Sequence, residues 1–406
     1  MVVTKMKLFG YLVSFKDSKK IILENINPIK SKTNIPISQA LDRVNAENIY
    51  ANFDLPSFDR AAMDGYAVRA KDTFGALQYR PKILKIVGTA EVGKTLGIKV
   101  MKREAVRIAT GAKLPQGTDA VVMAENAEEK NKKLKIFKSV APKENIGLRG
   151  EDIKRGSLVI KEEDFITASK IGVVAGLGIS KIKVWQKPKV AIIPTGEEVC
   201  EVGKELKEGQ VYDINTHTIS AIVKNNGCKS LIFPIIPDKL EALRKAVIKS
   251  LKCDLIVFSG GSSVGERDLL VNVVQELGEI KFHGIQMKPG KPTLFGIIKG
   301  KPIFGMPGYP TSCLLNAYLL LAPALRKLAR LPKKEEIVVK AKLAKRVHGS
   351  LGRRFFLTVR LEKGLAIPVF KESGAITSMS EAQGYIEIPE NVDVLEKGEE
   401  VEVKLF

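Results

Sequence analysis

KVAIIPTG (residues 189–196) decides the fold: Val190–Ile193 is an unbroken apolar run that stops at a Pro-Thr-Gly turn, the pattern of a strand buried on both faces. A helical pattern follows in VYDINTHTISAIVKNNG (211–227), with Asp213 or Asn215 near its start and Gly227 as its stop. The alternation repeats in the strand SLIFPII (230–236) and the helix PDKLEALRKAVIKSLK (237–252), whose Leu240, Leu243, Val247 and Leu251 share a face. It repeats again in DLIVFSGG (254–261) and RDLLVNVVQELG (267–278). Strands alternating with helices of this length predict a mainly parallel sheet covered on both sides. IKFHGI (280–285), PTLFGII (292–298) and PIFGMPG (302–308) extend it, the last two joined at Lys299–Lys301, and a helix is predicted from Thr311 to Ala329.

Towards the N-terminus the text changes. Ser38 is expected to cap a helix over QALDRVNAENIY (39–50), with Ala40, Leu41, Val44 and Ile49 on one face. Between about residues 80 and 140, ILKIVG, AVRIATG, AVVMAE and LKIFKSV are short strand-like runs separated by turn residues, which predicts a small β domain. Helical signal returns in EEDFITASKIGVVAGLG (162–178). After LPKKEE (331–336), the runs EIVVKAKLAKRV, RFFLTVRLE, GLAIPVF, GYIEIPE and EEVEVKLF predict a small barrel or sandwich.

At 406 residues the chain exceeds what one core supports, so several domains are expected. The longest apolar run, Leu314–Leu325, is interrupted by Asn316 and Pro323 and reads as a buried helix, not a membrane span. No export signal is read at the N-terminus, and Cys200, Cys228, Cys253 and Cys313 form no C-x-x-C pair. These features predict a cytoplasmic protein with reduced core cysteines. The net charge of +21 raises a nucleic-acid partner, but the lysines alternate with glutamates and form no basic block. A Lys/Glu-rich surface or an acidic small-molecule substrate accounts for the excess better.

Ligands of open α/β sheets bind beyond the carboxyl ends of the strands. The loops there are PTGEEV, IIPD and SGGSSVGERD, carrying Glu197 and Glu198, Asp238, and Glu266 with Asp268. Ser259, Gly260, Gly261, Ser262 and Gly265 let backbone N–H groups turn towards an oxyanion, although the same glycines would equally serve a tight strand-to-helix turn. SGGSSVGERD itself does not follow the G-x-x-x-x-G-K-[ST] pattern, since no lysine follows its glycines. In MKPGKPTLFG (287–296), Lys288 and Lys291 flank a Pro-Gly turn, an arrangement that suits an anion held between two ammonium groups or a solvated surface turn. GMPGYPTSCLLN (305–316) feeds a helix that Thr311 or Ser312 could cap. Asp238 and Asp268 are hard oxygen donors of the kind magnesium takes. FDRAAMDGYAV (58–68) adds Asp59 and Asp64, and RIATGA and LRGEDI add Thr110, Arg149 and Asp152.

Taken in order, FDRAAMDGYAVRA, RIATGAKLPQGTDAVV, LRGEDIKRG, PTGEEV, YDINTHTI, SGGSSVGERD, KPGKPTLFG and GMPGYPTS resemble the molybdopterin molybdenumtransferase family, MoeA and the gephyrin E domain, over essentially the whole chain. The resemblance implies an α/β multidomain chain: a split helical domain (1–50 and 145–187), an inserted β domain (51–144), a central mainly parallel α/β molybdopterin-binding domain (188–330) and a C-terminal β barrel (331–406). It implies a homodimer that works with other cofactor-assembly proteins, and insertion of molybdate or tungstate into adenylylated molybdopterin with Mg2+ and release of AMP. Carried over position by position, it assigns catalytic roles to Asp59, Thr110, Glu198, Asp238, Asp268, Lys288 and Lys291, with Asp238 and Asp268 on the metal. Ser259, Gly260, Gly261, Ser262, Gly265, Asp213, Pro307, Gly308, Ser312, Arg354 and Ser378 become binding residues. The chain departs from the family where the usual PGNP reads PGYP, with Tyr309, and GGVS reads GGSS, with Ser262. The alternatives are a molybdopterin adenylyltransferase, whose family resembles residues 188–330 alone, and a gephyrin-like scaffold.

Overall fold

The computed structural model describes residues 12–260, 269–371 and 375–406. The chain divides into two compact units, one holding the chain up to Thr33, Asp42–Val44 and Lys183–Phe406, the other Asn34–Leu41 and Asn45–Ile182.

The first unit contains the α/β sheet. Its strands are β1 (Lys189–Pro194), β2 (Lys229–Ile232), β3 (Leu255–Ser259), β4 (Glu279–His283), β5 (Leu294–Ile298) and β6 (Lys301–Met306), in the order β2-β1-β3-β6-β5-β4. The first four are parallel, while β5 returns antiparallel to β6 through the predicted tight turn and β4 pairs antiparallel to β5. Side chains alternate between faces along a strand. Thus Val190, Ile192, Leu255 and Val257 enter one core with Ile219, Ile222 and Val223 of helix α1 (Asn215–Asn225). Ala191, Ile193, Ile256 and Phe258 enter the other with residues of α2 (Leu240–Ser250) and α3 (Leu269–Leu277). Two-sided burial is why these strands carry continuous apolar runs.

The single helix expected from Thr311 to Ala329 is three joined pieces: α4 (Pro310–Asn316), a π-helical segment (Ala317–Leu321) and α5 (Ala322–Leu328). Pro323 lacks an N–H and its ring collides with a carbonyl one turn back in a regular helix; the wider π turn immediately before α5 lets the helix continue through it.

In the same unit β7 (Val338–Leu343), β8 (Arg354–Glu362), β9 (Leu365–Pro368), β10 (Gly384–Ile388) and β11 (Glu400–Leu405) close into a five-stranded barrel, because β8 pairs with β9 and β10, β7 pairs with β9 and β11, and β10 pairs with β11. Its interior is filled by Leu343, Phe355, Leu357, Val359, Ile386, Ile388 and Val403.

The second unit holds a six-stranded sheet in the order Ala120–Met123, Gly65–Val68, Glu104–Ile108, Lys82–Ala90, Lys133–Ile136, Ala127–Lys130. The helix expected over residues 39–50 is not formed. Only a 3-10 turn at Ile37–Gln39 and a short strand at Ile49–Tyr50 occur there. Asn45 accounts for this: its Nδ2 donates to the carbonyls of Glu47 and Lys161, and its backbone N–H donates to the Asp164 carbonyl at 2.8 Å. Leu41, one of the four residues of the presumed apolar face, is 52% exposed. Long-range pairing has overridden a helical spacing. Among the described residues, no helix is long and apolar enough to cross a membrane.

Candidate functional site

Register builds the site. Pro194 lies opposite Ser259, and Ser259 opposite Met306, so β1, β3 and β6 end at one level. The chains leaving them, Thr195–Glu198, Gly260 and Pro307–Pro310, therefore emerge side by side, and Thr195 also bridges to Ile236 beyond β2. Together with the entry to α1 they enclose a cavity of about 600 Å3. Gly260 is held at φ +95°, and a Cβ there would stand 2.7 Å from the Thr195 carbonyl oxygen; only glycine lets these loops approach so closely. The Thr195 N–H donates to the Ser259 carbonyl at 3.1 Å, and the Gly260 N–H to Met306 at 3.3 Å.

Of the residues selected from the sequence, Glu198, Asp213, Ser259, Gly260, Pro307, Gly308 and Ser312 line this one cavity. Gly261, Ser262, Gly265 and Asp268 lie outside the described residues. Asp213 stands at the start of α1 as anticipated, its carboxylate accepting the Thr216 N–H at 3.0 Å. Neither Thr311 nor Ser312 caps α4, contrary to expectation. The helix starts on Pro310, which has no N–H to satisfy, and the Thr311 hydroxyl donates instead to the Ala375 carbonyl at 3.0 Å.

Asp238 follows β2 outside the cavity lining. Partial desolvation raises its carboxyl pKa, and the like charges of Glu198 and Glu197 raise it further. Among the described residues no group of three His, Cys, Asp or Glu side chains is assembled as a metal cage. Magnesium is ordinarily held by one or two carboxylates with substrate phosphates and water. Asp238, under negative potential from two neighbouring carboxylates, fits that mode, because a divalent cation would relieve the repulsion.

The lysine loop is pinned from behind. Met287–Lys288 pairs in parallel with the start of β8, and Lys288 Nζ lies 5.0 Å from the Phe355 ring centroid. Gly290 takes φ +100°, and a Cβ there would collide with the side-chain amide of Asn316 in α4. Asn316 is fully buried, and its Nδ2 donates to the Gly290 carbonyl at 3.0 Å and the Thr293 hydroxyl at 2.6 Å. Lys291 lies within this clamped turn, its carbonyl accepting from Ile285 and Thr293. The Arg354 guanidinium is engaged by Glu387 at 2.7 Å and Glu390 at 3.0 Å. Ser378 is fully buried, its hydroxyl accepting the Lys371 N–H at 3.0 Å.

In the second unit, Asp59 accepts the Arg149 N–H at 2.7 Å and Asp64 accepts the Thr110 N–H at 2.7 Å. Three strings far apart in sequence are thereby tied into one exposed polar surface. All four cysteines are free and buried, and burial pushes the Cys228 thiol up to about 12.

Three residues were not singled out as site residues from the sequence: Thr195, Asn215 and Asn316. Thr195 and Asn215 line the cavity, and each carries a buried side-chain oxygen without a hydrogen-bond partner among the described residues. Asn316 had a signal, since an amide inside an otherwise apolar buried helix demands a partner.

Family models match in succession along the chain: the MoeA N-terminal region (domain I and II) at residues 13–178, a probable molybdopterin binding domain at 191–327, and the MoeA C-terminal region (domain IV) at 340–406. A putative molybdopterin biosynthesis protein of Methanocaldococcus jannaschii is 37% identical, covering 99% of this chain and all of its own length. The chain belongs to the MoeA family. A molybdopterin molybdenumtransferase of Haemophilus influenzae is 36% identical over 78% of each chain. Two MoeA structures from Pyrococcus horikoshii superpose with TM-scores of 0.86 and 0.82, at 42% and 32% identity, over 97% and 98% of this chain and 99% and 100% of theirs. The anion-friendly loops and the carboxylates beside them thus sit on a MoeA scaffold matched from end to end.

Proposed function

We propose that this MoeA-family protein is a molybdopterin molybdenumtransferase that inserts molybdate, or tungstate, into adenylylated molybdopterin and releases AMP. The observation that carries this reading is the common level of Pro194, Ser259 and Met306, which gathers three loops and seven of the selected residues around one cavity.

Each residue type suits its part. Molybdate is a tetrahedral dianion, and Lys288, Lys291 and the Ser312 hydroxyl supply the positive charge and the donor it requires. The start of the glycine loop at Ser259 and Gly260 receives the phosphate side of the adenylate. Asp238, with Glu198 beside it and with Asp268, would hold Mg2+, which when bound neutralises phosphate charge and the leaving group. By the family resemblance the protein works as a homodimer in the cytoplasm with other cofactor-assembly proteins, and Asp59 and Thr110 act from the partner subunit. By the same resemblance Arg354 and Ser378 would serve the oxyanion pocket: the Ser378 hydroxyl accepts from Lys371 and keeps its own O–H to donate, while Arg354 shares its donors with Glu387 and Glu390. Matches on both sides of the molybdopterin-binding region favour the transferase over a stand-alone adenylyltransferase.

Incubation with adenylylated molybdopterin, Mg2+ and molybdate should release AMP, measured by chromatography. Lys291→Ala should slow release by about 10- to 100-fold, the worth of a hydrogen bond to a charged group. No AMP with either molybdate or tungstate, or undiminished release by Lys291→Ala, would overturn the assignment.

A further inference from the structure

Resting on the transferase reading, we propose that Tyr309, Tyr212 and Asn215 form a subsite for the planar amino-heterocycle of the ligand, at the rim of the cavity. Both tyrosines line the cavity, yet they are 65% and 41% exposed. Two large rings left in water at one mouth are surfaces on which a flat ring stacks. Both are held in place. Tyr212 Oη donates to the Lys204 carbonyl at 2.9 Å, and Tyr309 is confined to extended backbone by Pro310.

Asn215 supplies a second, independent observation. It is nine-tenths buried on the cavity wall, and its Nδ2 donates to the Gly308 carbonyl at 2.7 Å. That bond fixes the amide orientation and leaves Oδ1 as an acceptor, which has no partner among the described residues. A buried acceptor repels an oxyanion and is satisfied by an N–H group. An exocyclic amino group on a ring resting against Tyr309 meets that requirement, while the ligand's phosphate and the metal oxyanion find their donors elsewhere. Tyr309 stands where the family usually has asparagine, so the stacking wall is a property of this chain.

Two rings of the adenylylated substrate have this chemistry, adenine and pterin, and two probes separate them: AMP and 6-hydroxymethylpterin. Calorimetric titration of the full-length protein should show that Tyr309→Ala and Tyr309→Asn each weaken one probe by about tenfold or more, while Tyr309→Phe stays within about twofold of the parent. Loss for AMP identifies adenine, and loss for the pterin identifies that ring. Inorganic phosphate should bind all variants alike. Binding of both rings to Tyr309→Ala within about twofold of the parent overturns the subsite, as does an equal loss for phosphate, or a parent protein that binds neither ring. Asn215→Leu, which removes the Oδ1 acceptor, should weaken the same probe as Tyr309→Ala; unchanged binding of that probe, or weakening of the other alone, overturns the pairing of the two residues. Ring binding that depends on Tyr309 without any AMP release from the substrate defeats the transferase reading and leaves the subsite standing.

Discussion

Asp238, the proposed Mg2+ ligand, carries a carboxyl group perturbed by its neighbours. Its pKa is raised in the folded protein by desolvation and by Glu198 and Glu197. In the pH window between the ordinary carboxylate value and this raised value, the unfolded chain has already lost the proton that the folded chain keeps. Stability is therefore present below the window and declines as pH rises through it. The residue as a whole is exposed, so solvent screening keeps the effect small. At neutral pH without metal, Asp238→Asn is expected to raise the thermal midpoint by only about 1–2 °C. Magnesium should stabilise the parent and do little for Asp238→Asn, as read by differential scanning calorimetry with and without Mg2+. Equal stabilisation of both proteins would show that Asp238 is not a ligand.

At the scale of elements, α4 does more than close the sheet. It starts against the cavity through Tyr309 and Ser312, and two turns later Asn316 reaches the lysine loop. Removing the amide by Asn316→Ala breaks bonds to Gly290 and Thr293 within a fully buried setting, which should cost on the order of 2–3 kcal/mol in denaturant unfolding. The same variant should weaken molybdate binding more than AMP binding, because the turn holding Lys288 and Lys291 loses its clamp. Equal loss for both ligands would mean a general loss of packing. Asn316 also shows the limit of pattern reading: in sequence it was an interruption of an apolar run, and its purpose became visible only when Gly290, 26 residues earlier, was found against it. Ala40–Ile49 shows the reverse error. Its spacing suited a helix, but two of the partners of Asn45, the carbonyls of Lys161 and Asp164, lie in a segment that no local window contains.

For the whole molecule, the proposed homodimer carries a test of its own. If Asp59 and Thr110 serve the partner's cavity, Asp59→Asn and Lys291→Ala damage different halves of a shared site. Mixing the two impaired variants under subunit exchange should then raise activity to about a quarter of the parent level, since half the dimers are mixed and each has one intact site. Sedimentation equilibrium checks the dimer, and AMP release checks the complementation. No recovery from demonstrably mixed dimers would place both residues in one subunit's site. Within each unit the large features were legible beforehand: the parallel sheet, the β5–β6 hairpin, a β domain before it and a β domain after it stood in the text as apolar runs and turn residues, although the C-terminal runs left barrel and sandwich open and strand pairing closed the barrel. The site was legible in part. Seven selected residues share the cavity, while Arg354 is occupied by Glu387 and Glu390, a pairing across more than 30 positions that spacing does not reveal.

The sequence by itself determined the alternation of strands and helices and the ordered motifs that mark a MoeA chain, because burial and turn geometry act over a few residues and leave a local periodicity. The tertiary structure alone decided that Pro194, Ser259 and Met306 end level, that Asn316 holds Gly290, and that Asn215 turns its free oxygen from Gly308 while Tyr309 stands at the rim. Those relations depend on strand register and on packing between residues tens to hundreds of positions apart. Backbone hydrogen bonds and close contacts settle them only when the whole unit is assembled.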